Sequence, residues 1–501
     1  MPTGRGPRRP RFHPVGARGE VFANLWPVPI DQTPPRVLVV GAGIAGLAAA
    51  AAVRRTAPAV EVVVLEAAPR IGGKLAVAEV AGVWLDVGAE SMLNRRPEAV
   101  ALTREMGLAE RLVHPAVSSA GLWSRGRMLP MPRTLMGVPP NAEAVAEVLS
   151  PEGARRVAEE PTLPPTRLDG DLSIGELVEQ RFGPEVVDRL VEPLLGGVYA
   201  GRAREISARA AVPQVVALLD RHRSLSEGVQ RALASGGSGP AVPVFAGIVG
   251  GLGTLPAAVV EHAGLDVRTG ATVRGLIRTP DGWELVVGST RDAELLRADA
   301  VVLATPARPT ARLLEETAPA AARALGEVDY ASMAIVTLAF RQHDLTATNG
   351  SGFLVPPVDG RTVKAATYSF AKWDWVREAG DEAGGLRLLR CSIGRHREEQ
   401  VLQRSDGELV DAAVSDLAAA VGITARPVDS HVQRWGGALP QYAVGHLDRV
   451  QAVREAVAVQ PGLAVCGAAY DGVGLPACIA SAEAAATQVV QALGPLGRMS
   501  P

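Results

Sequence analysis

Apolar positions along this chain fall into short continuous runs rather than long stretches. Arg36–Val40 is a β-branched run with the length of a buried parallel strand, and Glu61–Leu65 repeats it. Between them the Ala-rich sequence through Val53 has helix propensity. Further buried strands are predicted at 298–306, which ends in Thr-Pro, at 462–467, and at 264–273, with a small-residue helix starting near Ala480. Residues 173–182 combine a Ser cap, a Glu three residues later and apolar positions at helical spacing. They typify a stretch, 93–205, that reads as mainly helical. Residues 310–454 read as alternating strands, among them 334–340 and Leu386–Ile393. No internal repeat is apparent.

The chain has 501 residues, which argues for more than one structural unit. With 47% apolar and 21% charged residues it can bury a real core, and bulk disorder is excluded. A net charge of −2 gives no general attraction to nucleic acid or to an anionic membrane, so recognition of an anion has to be local. Among 51 basic residues only Lys74, Lys364 and Lys372 are lysines, a bias typical of GC-rich coding. Cys391, Cys466 and Cys478 form no C-x-x-C pair, which disfavours a disulfide framework or a zinc site and fits a reducing compartment. No metal site is expected. Residues 1–35, rich in Arg, Pro and Gly, are expected to be a disordered tail without an export signal. The uncharged stretch 37–53 is borderline for a membrane span, but its glycines read better as a buried strand, turn and helix.

Those glycines carry the first chemistry. Gly41-Ala42-Gly43-Ile44-Ala45-Gly46 follows the first strand and opens the helix. Gly41 suits the tight turn, Gly43 a close approach to a pyrophosphate, and Gly46 close helix–strand packing, with the phosphates at the positive helix end. Glu66 ends the second strand twenty residues after Gly46, where a carboxylate takes ribose hydroxyls and disfavours a 2′-phosphate.

Segments beyond Glu66 resemble the flavin amine oxidase superfamily. The stretches Arg70-Ile-Gly-Gly-Lys74 and Trp84-Leu-Asp-Val-Gly88-Ala89-Glu90-Ser91 are similar to an extension that lines FAD there, and an NAD dehydrogenase does not carry it. Asp471-Gly-Val473-Gly474-Leu475-Pro476 is similar to the superfamily's C-terminal flavin motif, in which a helix N-terminus faces the ring. The resemblance implies FAD as cofactor, with Ala67, Lys74 and Val273 added to the contacts. It also implies an α/β fold: an FAD-binding Rossmann-like (GR2-type) domain with an inserted α+β substrate domain and a mainly helical domain. The FAD domain is expected to be discontinuous, from 36–92, 241–309 and 455–495. The helical part is expected at 93–205 and the substrate part at 206–240 and 310–454.

More specific residues narrow the resemblance. Asp188-Arg-Leu-Val-Glu-Pro-Leu-Leu-Gly-Gly-Val-Tyr-Ala-Gly201 resembles a signature of the oxygen-dependent porphyrinogen oxidase family. So do 350–356, Lys372-Trp373, Arg434-Trp435, 440–442 and Gly445-His446. The family oxidises a porphyrinogen to a porphyrin with FAD and oxygen. The resemblance implies three two-electron removals at flavin N5 with peroxide release, no protein catalytic residue, and no metal. Trp435 is similar to a position against the flavin. Leu354 and Tyr368 are implied as apolar walls, and His446 as a further substrate contact. Lys372 and Arg395, on nearby predicted strands, are candidates for pairing propionates. Gly121 stands where eukaryotic members carry a propionate-binding arginine, so propionate recognition must differ.

Coproporphyrinogen III is the expected substrate, with protoporphyrinogen IX as the alternative. An amine oxidase or a non-catalytic flavoprotein is a remoter reading. Expected partners are the porphyrinogen, molecular oxygen and a downstream ferrochelatase, with no nucleic acid. A cytoplasmic enzyme is expected, with peripheral membrane contact, if any, through the helical region. Oligomeric state is open.

Overall fold

The computed structural model describes residues 34–235, 243–345 and 348–494. The expected N-terminal tail lies outside these residues but for its last two, as do the ends of the expected segments around 236–242.

The runs read as buried strands form one five-stranded parallel sheet. Its order is Asp266–Arg268, Glu61–Leu65, Arg36–Val40, Ala300–Leu303 and Leu463–Val465. The continuous apolar runs are explained by layers on both faces. Val37, Val39, Val62, Val64, Ala300 and Val302 pack with helices Ile44–Thr56, Leu255–Ala263 and Leu475–Ala492. Leu38, Val40, Val63, Leu65, Val301 and Leu303 pack on the other side. There they meet a three-stranded antiparallel layer, 273–298, and helices Ala307–Leu314, Pro319–Gly326 and His446–Ala458.

A seven-stranded sheet forms the second layer system. Its order is Asp429–Pro440, Tyr330–Arg341, Leu386–Ile393, Val363–Thr367, Gly352–Leu354, Gly121–Ser124 and Arg127–Pro130. One face, with Ala334, Val336, Leu338, Phe340, Ala366, Cys391 and Ile393, is closed by helix Asp406–Val421. That helix starts at a complete capping box, Ser405 with Glu408.

Several local expectations need correction. Within the stretch 93–205, read as mainly helical, hairpin 121–130 is an exception that joins the large sheet through a parallel pairing of Phe353 with Gly121. The region 310–454 begins with helices rather than strands, because Leu313, Leu314, Ala321 and Leu325 recur at helical spacing and fill the core beside the parallel sheet. The single strand expected at 264–273 is two, Asp266–Arg268 and the start of Val273–Thr279. The final helix starts at Leu475, five residues before Ala480.

Candidate functional site: a dinucleotide cradle facing a sheet

The glycine loop has the geometry its spacing predicts. Gly41 adopts φ +104°, and a Cβ there would lie 3.1 Å from the Ala304 carbonyl oxygen. At Gly46 a Cβ would lie 1.8 Å from the Gly41 carbonyl oxygen, so helix and turn touch through backbone alone. Gly43 differs: a Cβ would meet nothing within 4 Å, which leaves this turn open to an incoming group. Ala42 and Ala45 are buried, and Ile44 packs against the core behind the loop.

The neighbouring segments close on this loop. The Gly72 N–H donates to the Ala42 carbonyl at 2.8 Å, laying the segment that carries Lys74 across the turn. Glu66 accepts from the backbone N–H of Ala42 at 2.7 Å and of Ala68 at 2.8 Å, so it also fixes the loop it was expected to serve. The Ala271 N–H donates to the Glu66 carbonyl at 2.8 Å, drawing the segment before Val273 beside exposed Ala67. From the chain's far end, Gly467 reaches within 3.8 Å of the Ala45 methyl, measured from a Cβ built on the glycine. Helix Leu475–Ala492 begins at Gly474 with no side-chain cap, leaving its first N–H groups available, while Val473 packs with the helical region. An open turn at Gly43, a carboxylate at the second strand and an uncapped helix start fit FAD.

The segment Gly88–Ser91 ties the Lys74 segment to the large sheet. The Ala89 N–H donates to the Lys74 carbonyl at 3.2 Å. Trp435 donates through Nε1 to the Val87 carbonyl at 2.9 Å, and Arg70 stacks 5.5 Å from its ring centre. Glu90 accepts from Lys372 Nζ at 2.6 Å and from Arg390 at 2.8 Å, and Ser91 lies 3.4 Å from the same ammonium. Burial alone would raise the Glu90 carboxyl, yet the two cations outweigh it and hold the group at about 2. Arg390 also donates to the Gly88 carbonyl at 2.5 Å. Beneath it, buried Asp86 accepts from the Leu252 and Gly253 N–H groups, both at 2.9 Å, while burial pushes its carboxyl up to about 7.

Sheet register shows what shares this face. Directly opposed residues point the same way, and alternate ones do too. Leu354 opposes Ala365, Ala365 opposes Ser392, and Ser392 opposes Ile335, whose partner Gln433 lies two residues before Trp435. Arg390, two residues before Ser392, is on the same side. One face of the large sheet therefore carries both Trp435, bonded to the Val87 carbonyl, and Leu354. Leu354 in turn packs toward helix Glu192–Tyr199, 3.8 Å from a Cβ built on Gly197.

Other expected substrate residues are placed differently. Tyr368 is 2% exposed and packs with Phe353 and Phe370 in the core on the opposite face. His446 is fully buried, stacked 3.9 Å from the Tyr442 ring centre and 3.1 Å from the Tyr470 carbonyl oxygen. Burial lowers its imidazole to about 4. Lys372 ends a short helix, Ser369–Lys372, rather than lying on a strand, and its ammonium is engaged by Glu90. Arg395 follows the strand Leu386–Ile393 and is buried near Val355 and Glu398. Arg390 and Asp86 escaped notice in the sequence. Asp86 stood inside a quoted motif, whereas Arg390 had no local signal at all.

A family model for flavin containing amine oxidoreductase matches residues 44–490. The coproporphyrinogen III oxidase of Mycobacterium leprae is 39% identical over 458 residues, covering 91% of this chain and 98% of that protein. The coproporphyrinogen III oxidase of Bacillus subtilis is 31% identical, covering 91% and 97%. A solved structure from Exiguobacterium sp. 255-15, provisionally described as a protoporphyrinogen oxidase, superposes with a TM-score of 0.80 at 31% identity, covering 91% and 99%. Cyclohexylamine oxidase from Brevibacterium oxydans shares the fold at a TM-score of 0.67 and 16% identity.

Proposed function

The chain belongs to the flavin-containing amine oxidoreductase family, and from that premise we propose that it oxidises coproporphyrinogen III to coproporphyrin III in haem biosynthesis, with molecular oxygen as final acceptor and peroxide released. The observation that carries this reading is the shared sheet face. It offers one continuous face from Trp435 to Leu354, with the segment Gly88–Ser91 against Trp435 at one end and helix Glu192–Tyr199 against Leu354 at the other. An apolar tetrapyrrole with carboxylate edges suits such a floor. The floor residues named with Trp435, namely Leu354, Ala365, Ser392, Ile335, Gln433 and Arg390, carry no aromatic ring, which does not suit an aromatic cage for a small amine.

When bound, FAD supplies the two-electron acceptor. The chain's own task is to hold and shield. In this reading Gly41, Ala42, Gly43 and Gly46 take the pyrophosphate, Glu66 the ribose, and Val473, Gly474 and Leu475 the ring's polar edge, where an uncapped helix start favours negative charge. Trp435 and Leu354 orient the macrocycle and exclude water. Glu90, Lys372 and Arg390 act as positioning residues that lock Gly88 and Ala89 to the sheet.

Protoporphyrinogen IX is the second reading, favoured by the similarity to the Exiguobacterium structure. Steady-state turnover with both porphyrinogens, followed by porphyrin fluorescence, tests the choice. A higher kcat/KM for coproporphyrinogen III supports it, and a preference for protoporphyrinogen IX overturns it.

A further inference from the structure

Lys364 is one of three lysines in the chain and is 4% exposed, on strand Val363–Thr367. Its Nζ makes no hydrogen bond and no ion pair among the described residues. A buried amine without a partner is costly, so its retention calls for a ligand or a purpose. The lysine sits at an irregularity in the strand: Val363 opposes Ile393 and Ala365 opposes Ser392, leaving Lys364 as the extra residue. The next residue, Ala365, is on the proposed macrocycle floor opposite Leu354.

A second cation lies beside it. Arg395 is 6% exposed and has only long contacts, 3.5 Å to the Val355 carbonyl and 3.8 Å to Glu398. The Val355 N–H in turn donates to the Lys364 carbonyl at 2.9 Å, tying the two cations to one loop. The charged groups around them do not neutralise the pair. Lys364 feels Arg395 and the exposed Glu398, while Arg395 also feels Glu192, Arg202 and Asp416. Glu192 is occupied by the Ala203 N–H, Asp416 by the Val363 N–H, and Glu398 is shared with Arg202 at 3.3 Å. Helix Glu192–Tyr199 packs over these strands, and at buried Gly196 a Cβ would meet nothing within 4 Å, which leaves open space beside that residue.

We propose that Lys364 and Arg395 form a buried carboxylate subsite that takes one side-chain propionate of the tetrapyrrole, beyond Leu354 on the same floor. The proposal rests on the porphyrinogen reading above. It replaces Lys372, which Glu90 already engages, with an unpartnered buried amine beside an arginine whose one carboxylate contact, the exposed Glu398, is long at 3.8 Å. Binding would form two charge-assisted contacts in a low-dielectric setting and would draw a proton onto Lys364. Burial and Arg395 hold the free amine at about 7, so near pH 8 it is mostly neutral until a carboxylate arrives.

The test is titration calorimetry of the FAD-loaded enzyme with coproporphyrin III at pH 8, in two buffers of different ionisation enthalpy, beside porphyrinogen turnover. Wild type is expected to take up close to one proton on binding. Lys364→Met should abolish the uptake, weaken binding by roughly tenfold or more, and raise KM more than it lowers kcat. Lys364→Arg should retain affinity without proton uptake, and Arg395→Gln should lose affinity. If Lys364→Met fails to hold FAD, the arginine and Arg395 variants decide. Unchanged affinity and proton uptake in Lys364→Met, or unchanged affinity in Arg395→Gln, with normal wild-type turnover, overturns the subsite alone. Absence of turnover and of coproporphyrin III binding in wild type overturns the substrate reading and the subsite with it.

Discussion

Replacing Glu90 by glutamine removes the carboxylate that Lys372 and Arg390 share at 2.6 and 2.8 Å. Two largely buried cations are then left facing a neutral amide. A carboxylate held at about 2 against an ordinary 4.5 corresponds to about 3 kcal/mol of stability at neutral pH. Breaking one partner of a buried pair costs about 3–5 kcal/mol, so two routes agree. For 501 residues the unfolding entropy is roughly 1 kcal/mol/K, which translates into a Tm about 3 °C lower. The folded value lies below the unfolded one, so the stabilisation is complete above pH 4.5 and is lost as pH falls toward 2. The assay is thermal melting of the FAD-loaded enzyme by circular dichroism, with flavin fluorescence reporting cofactor release. E90Q should melt lower by a constant margin from pH 8 to pH 5, and the margin should shrink below pH 4.5. The double variant E90Q/K372M should be less damaged than the two single losses added. A Tm within about 1 °C of wild type at pH 7 would refute the reasoning.

Three further outcomes rest on the same geometry. Gly46→Ala forces a Cβ to 1.8 Å from the Gly41 carbonyl and should yield protein without bound flavin, whereas Gly43→Ala, with nothing within 4 Å, should fold normally but hold FAD weakly; absorbance at the flavin band against 280 nm distinguishes them. Trp435→Phe leaves the Val87 carbonyl without its donor and should cost about 1 kcal/mol, read as roughly a 1 °C fall in Tm with faster flavin loss on dilution. His446, held at about 4 when folded against 6.5 otherwise, contributes stability that is complete above pH 6.5 and lost as pH falls toward 4; melting from pH 7.5 to 5 should show that slope in wild type and a flatter one in His446→Phe.

Much of the glycine loop's geometry was legible because its signals are local. Three glycines at fixed offsets, a carboxylate twenty residues on and a β-branched run on either side specify a turn whatever surrounds it. The all-apolar strands announced a sheet covered on both faces, which is where they lie. The substrate side was less legible, because it depends on register across a seven-stranded sheet whose members come from three separate stretches of sequence. Hairpin 121–130 gave no sign that it would pair with Gly352–Leu354, more than two hundred residues on. Lys372 and Glu90 were each singled out for a ligand, and the fold spends them on each other. Tyr368 lies on the far side of the sheet from Leu354, a difference of strand face that composition cannot reveal. Lys364 had no role in sequence, since only burial without a partner distinguishes it from a solvated lysine.

The membrane question narrows only at one point: among the described residues no helix is long and apolar enough to cross a bilayer.

The most direct test of the account is anaerobic mixing of the FAD-loaded enzyme with coproporphyrinogen III while the visible flavin band is followed. The account predicts bleaching of that band with appearance of porphyrin fluorescence, and recovery of the band with peroxide release when oxygen is admitted. A flavin band that stays oxidised with coproporphyrinogen III and with protoporphyrinogen IX would contradict it.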